Sequence, residues 1–140
     1  MAEEKYLLPY TGEQVEDRLE SPLPVALGGT GQSAAYQNVA LTPDTAKADG
    51  HILTCRYYPY LGICLMRGYC KLTEAVTADG TFFNAATIPS GYRPAQSTAI
   101  TVGVIGGGSG LVRGDGSVNL RTFTNRAANT NIDFSGWWFV

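Results

Sequence analysis

From residue 51 to residue 140 apolar side chains alternate with polar ones or run in short blocks, and glycine-centred breaks part these runs at intervals too short for helices. A period of two places alternate side chains on opposite sides of an extended chain, so the pattern predicts strands. They fall at residues 51–58, 62–73, 81–86, 99–105, 111–113, 117–124, 131–134 and 137–140. Asp79-Gly80 and Asp115-Gly116 predict two tight hairpins of type I′, a turn whose two central residues both need positive φ. The segment Pro89-Ser90-Gly91-Tyr92-Arg93-Pro94 carries too much proline for a central strand and reads as a loop crossing between sheets. Short strands at close turn spacing imply a mainly β fold, an antiparallel β-sandwich or barrel-like head over residues 51–140.

Upstream the pattern changes. Residues 6–20 read as a short helix, because Thr11 precedes Gln14 at capping-box spacing and Leu8, Val15 and Leu19 recur at steps of seven and four. Those three leucine and valine side chains form one seam, and so short a helix needs partner chains or a body to dock on. Ser21-Pro22-Leu23-Pro24 ends it, since proline removes a donor and restricts the residue before it. Residues 1–20 are therefore assigned to an N-terminal helical attachment segment and residues 21–50 to a glycine-rich connector or neck, with a turn of helix at residues 32–39.

Composition narrows the function classes. A chain of 140 residues has room for about one domain plus a short appendage. Charged residues make up 16%, below the usual ~25%, and 17 glycines favour turn-rich β structure. A net charge of -2 offers no basic footprint for nucleic acid. Acidic residues dominate up to Glu20 and basic ones beyond Gly50, which leaves the C-terminal body mildly cationic. No apolar run is long enough for a membrane span, and the start lacks the pattern of a signal peptide, so a product of the cytoplasm with no membrane partner is expected.

The candidate chemistry thins out on inspection. Cys55, Cys64 and Cys70 lack paired metal-site spacing and sit in apolar, strand-like sequence, where buried reduced thiols are expected. The glycine run at residues 106–110 fails the dinucleotide-binding spacing, for Leu111 stands where its third glycine belongs. Arg113-Gly114-Asp115 spells an adhesion tripeptide, but its Gly and Asp suit the hairpin. His51 is the single histidine and nothing local orients it, so neither enzyme activity, metal nor cofactor is expected. The aromatics carry more. Tyr57, Tyr58 and Tyr60 surround Pro59, and Tyr92 stands beside Arg93 in the proline-rich loop. Rings at such bends offer a flat apolar face to a sugar, and Arg93 offers a fork of donors to phosphate or carboxylate. The alternative is that these rings, with Phe82, Phe83, Trp137, Trp138 and Phe139, fill the core or a subunit interface; the neighbouring Trp137 and Trp138 must face opposite sides of a strand.

Three stretches, Leu27 to Ala35, Pro9 to Val15 and the run from the Asp79-Gly80 hairpin to the terminal aromatic strand, resemble bacteriophage tail-fibre and receptor-binding (fibre-tip) proteins of the small type found in gut phages and prophages. Leu27-Gly28-Gly29-Thr30-Gly31 followed by Gln32-Ser33-Ala34-Ala35 is similar to an element of fibre shafts, and Pro9-Tyr10-Thr11-Gly12-Glu13-Gln14-Val15 to the opening of small fibre proteins. The order of Asp-Gly hairpin, Ile88 to Pro94 loop, second Asp-Gly hairpin and terminal aromatic strand is similar to many fibre tips. The resemblance implies a homotrimer in the virion, held to other virion proteins through the N-terminal segment, with a β-rich head that binds host polysaccharide or teichoic acid. A head fibre or decoration protein without a ligand of its own is the alternative, since the shaft is very short.

Overall fold

The computed structural model describes residues 36–78 and 81–140; the expected helix with Leu8, Val15 and Leu19, the shaft-like glycine element and the Asp79-Gly80 turn lie outside these residues. Nine strands are formed: β1 (Gln37–Asn38), β2 (Thr42–Pro43), β3 (Ala48–Tyr58), β4 (Ile63–Leu72), β5 (Phe83–Thr87), β6 (Thr98–Gly103), β7 (Gly108–Val112), β8 (Ser117–Thr122) and β9 (Asn131–Phe139). They make one antiparallel sheet in the order β1-β3-β4-β9-β6-β7-β8-β5-β2, curled into a half-barrel. The mainly β expectation holds, as a single curled sheet and not as two stacked ones.

The curl has a visible cause in β6. Its residues Thr98 to Ile100 pair with β7, whereas Thr101 to Gly103 pair with β9. A strand that changes partner midway turns a corner. It thereby joins a first half-sheet of β1, β3, β4 and β9 to a second of β7, β8, β5 and β2. The two edge strands β1 and β2 are next to each other in sequence, four residue steps apart between Asn38 and Thr42. Such a link spans at most roughly 14 Å, so the two edges of the sheet are drawn toward each other. Val39, inside the link, is buried and donates its N–H to the Cys55 carbonyl at 2.9 Å. Residues 36–50, read from sequence as a connector, thus belong in large part to the sheet, and Gln37 and Asn38 are extended where a helical turn is expected.

Inside the curl, side chains alternate as a period of two demands. Cys64, Met66, Cys70 and Leu72 from β4 meet Ile132, Phe134 and Trp138 from β9, Ile100 and Val102 from β6, and Val118 and Leu120 from β8. Fully burying a side chain of this size is worth about 1.5–3 kcal/mol, and this inner face supplies the bulk of the stabilisation. The concave side leaves too little room for a large residue at every position. A β carbon at Gly136 would fall inside the Ile100 side chain, and one at Gly110 would lie 2.6 Å from Ile100 Cγ1.

These close approaches correct three boundaries. Residues 131–134 and 137–140, read as two strands parted at Ser135-Gly136, form one strand, because Gly136 accommodates Ile100 and does not turn. Strand β7 starts at Gly108 and not at Leu111, and β6 ends at Gly103. Strands β4 and β5 are not neighbours, so no hairpin joins them; β4 lies between β3 and β9, and β5 between β8 and β2. The β7–β8 hairpin does form, by another turn than type I′. Gly116 alone has positive φ, at 92°, and its N–H bonds the Arg113 carbonyl at 2.8 Å. This is the three-residue hairpin loop closed by a glycine bulge.

Candidate functional site

The structure separates the aromatic residues that the sequence groups. Pro59 stands in the β3–β4 hairpin, where the Tyr58 carbonyl accepts from the Gly62 N–H at 2.9 Å, and Tyr60 at its tip is 71% exposed. Tyr57 points to the inner side and meets the Tyr92 ring edge-on at 5.4 Å between centroids. The proline-rich loop folds over as a single 3-10 turn, Ser90–Tyr92, held by Trp138, whose indole Nε1 donates to the Tyr92 carbonyl at 2.7 Å. Arg93 turns back on its own loop and donates from Nε to the Ile88 carbonyl at 2.9 Å, beside Gly116. Tyr57 and Tyr92 are thus brought together as packing, Arg93 as a loop brace, and the Tyr58 ring lies tilted against Tyr36 at 5.9 Å between centroids. Of the five, Tyr60 alone presents most of its ring to solvent.

The outer face of the first half-sheet carries what the sequence does not single out. Strand register sets its rows: Arg56, Leu65 and Trp137 lie side by side on β3, β4 and β9, and Thr54, Arg67 and Ser135 form the adjacent row. Trp137 is 55% and Phe139 66% exposed, while Trp138 between them is 1% exposed, as alternation requires. Trp137 and Phe139 meet edge-on at 5.7 Å. A groove of about 360 Å³ runs between Arg56, Arg67, Tyr69 and Asp133. A second, of about 330 Å³, lies along Trp137, Phe139, Thr101 and Ser135. Arg56 rests on the Tyr36 ring, 4.5 Å from Cζ to the centroid, and its buried Nε has no hydrogen-bond partner among the described residues. Neither Arg56 nor Arg67 forms an ion pair with a described residue.

On the second half-sheet the outward polar groups are largely engaged with one another. Arg121 donates from Nε to Ser109 Oγ at 2.7 Å and lies 4.8 Å from the Phe82 and 5.7 Å from the Phe123 ring centroid. Asn119 donates to Ser117 Oγ at 2.7 Å, and Asn84 to Asp44 Oδ2 at 3.0 Å, although Asn84 Oδ1 stays without a partner. The Ala46 N–H and then the Asn84 amide hold the Asp44 carboxyl below its ordinary range. The Asp115 carboxyl is likewise held down, by the Ser117 hydroxyl and N–H, so the adhesion tripeptide spends its acid on its own turn.

All three cysteines are buried and free. Burial pushes the Cys55 thiol up to about 12 and the Cys70 thiol to about 11, so both stay protonated and poorly nucleophilic near neutral pH. Cys55 stands opposite Met66 and diagonal to Cys64 on the neighbouring strand, a proximity that only the register reveals. Among the described residues no group of three or more His, Cys, Asp or Glu side chains is placed to hold a metal ion. In sequence, the signal for the outer face is the alternation Cys64-Leu65-Met66-Arg67, which puts Leu65 and Arg67 together on one side once Cys64 and Met66 are known to face inward. Set against models of known protein families and against curated proteins, the chain matches none.

Proposed function

We propose that the chain is a homotrimeric bacteriophage virion fibre protein whose β head attaches to a glycan or cell-wall polymer on the host bacterial surface. The observation that carries this reading is the exposed outer face of the first half-sheet, with Trp137 and Phe139 turned outward near and at the end of a long strand. Large aromatics cost free energy when hydrated, and clustered ones mark surfaces that meet another molecule. The fibre-like motifs at residues 9–15 and 27–35 supply the virion context, and the N-terminal segment with Leu8, Val15 and Leu19, expected from its sequence to be helical, is the proposed trimer seam and attachment segment. The test is direct. Fluorescently labelled protein is mixed with a panel of bacterial cells and its mass is measured by light scattering. Saturable binding to a subset of strains by a particle of three chains is expected; a monomer across micromolar concentrations, or a protein that binds no strain, overturns the reading.

A further inference from the structure

The geometry points to an anionic-sugar site on the outer face of the first half-sheet, where Trp137 stacks a pyranose ring and Arg56 and Arg67 hold a phosphate or carboxylate attached to it. This rests on the receptor-binding reading and gives it a place and a ligand class.

The register fixes the spacing. Arg67 stands opposite Ser135, two residues from Trp137 on the same side of β9, so Arg67 and Trp137 are diagonal neighbours, about 7–8 Å apart. Arg56 and Trp137 flank Leu65 in one row, two strand spacings or about 10 Å apart. Those intervals suit a sugar ring followed by the anionic group it bears. Leu65 between them, half out of the face, extends the apolar floor. Arg56 and Arg67 line the same 360 Å³ groove from adjacent strands.

Arg56 carries the argument furthest. Its guanidinium lies 4.5 Å from the Tyr36 ring centroid, with Tyr58 tilted against that ring, while burial strips water from Nε and no acceptor among the described residues replaces it. A desolvated charged donor left unpaired is costly, and an anionic oxygen held by the rest of the same guanidinium would offset that cost. Asp133 lines the same groove without pairing either arginine, and so leaves an acceptor for a sugar hydroxyl. On the second half-sheet Arg121 has its Nε bonded to Ser109 and two rings around it, which is how this fold treats an arginine used for packing. Arg56 keeps a ring contact but has no such hydrogen bond at Nε, and Arg67 has neither among the described residues.

The test uses the full chain and three probes, glucose 1-phosphate, glucuronate and glucose, followed by tryptophan emission and saturation-transfer NMR. Trp138 is buried, so a change in emission reports on Trp137. Both anionic sugars are expected to bind at least about tenfold tighter than glucose, and Arg56→Gln and Arg67→Gln each to weaken them about tenfold at an unchanged melting temperature. Trp137→Phe removes the emission change and leaves a weaker NMR signal. Binding of glucose 1-phosphate alone assigns the site to phosphate-bearing polymers, and of glucuronate alone to acidic polysaccharides. Glucose binding as tightly as the anions, or a folded Arg56→Gln/Arg67→Gln double variant binding like wild type, overturns the site. So does a Trp137→Asp variant whose mass by light scattering falls below that of wild type, for the face is then an interface between copies. Bacterial cells that bind wild type and double variant alike overturn the site and leave the receptor-binding reading standing; sugar binding with no binding to any cell does the reverse.

Discussion

The two half-sheets share one core and differ on their outer faces. On the second, Arg121, Asn119, Asp44 and Asp115 each find partners within the chain, and the aromatic rings of Phe82 and Phe123 are set against a cation. On the first, Arg56 and Arg67 have no acid partner among the described residues, and the rings of Trp137 and Phe139 pair with each other and with no other described ring. A face whose polar groups are satisfied internally has little left to offer a ligand; one whose groups are unsatisfied does. The difference is one of use and not of stability, because both faces are backed by the same buried inner layer.

The largest effect expected from this contrast lies within one strand. Trp138→Ala should cost about 3–5 kcal/mol in denaturant unfolding, through lost burial and the freed Tyr92 carbonyl, whereas Trp137→Ala should stay within about 1 kcal/mol. Equal losses would show that the outer face is part of the fold's support. Next, Gly136→Ala tests the corner between the halves, where an added methyl meets Ile100; overpacking there should cost about 1–3 kcal/mol, with slower unfolding not expected.

Smaller effects sharpen the comparison between arginines. Arg121→Ala should destabilise by about 1–2 kcal/mol, the sum of one hydrogen bond and its ring contacts, while Arg67→Ala should change stability by about 0.5 kcal/mol or less. A reversal of that order would break the distinction between a packing arginine and a free one. The smallest effect is in acid. Asp44 and Asp115, both held below the ordinary carboxyl range, contribute stability that is present above the unfolded Asp pKa of about 4 and is lost as pH falls through their lower folded values. Hydrogen exchange should therefore loosen β2, β5 and the β7–β8 turn before β4 and β9 as pH drops below about 4, and Asp115→Asn should remove that turn's share of the pH dependence.

Much of the fold is legible in the chain. Alternation at Cys64-Leu65-Met66-Arg67 and Ile132-Asp133-Phe134 assigns strands and faces at once, and adjacency of Trp137 and Trp138 dictates that one is buried and the other exposed. The tyrosines are legible only in part, for a definite reason. Proline at 59 and 89 correctly marks departures from the sheet, and Tyr60 does point outward, but whether a ring faces solvent depends on what folds over it, and Tyr92, itself held by Trp138, packs on Tyr57 from 35 residues away.

Local pattern by itself determined the β class, most of the strands, the turn at Asp115-Gly116 and the buried thiols, because period two and turn chemistry act over a few residues. Tertiary structure alone decided which glycines turn and which make room. Gly116 turns because its φ of 92° favours glycine, whereas Gly136 runs straight because Ile100, distant in sequence, occupies the space of its side chain. The same holds for the candidate site: Arg56, Arg67 and Trp137 come from three strands, and only the antiparallel register that sets β4 between β3 and β9 places them on one face.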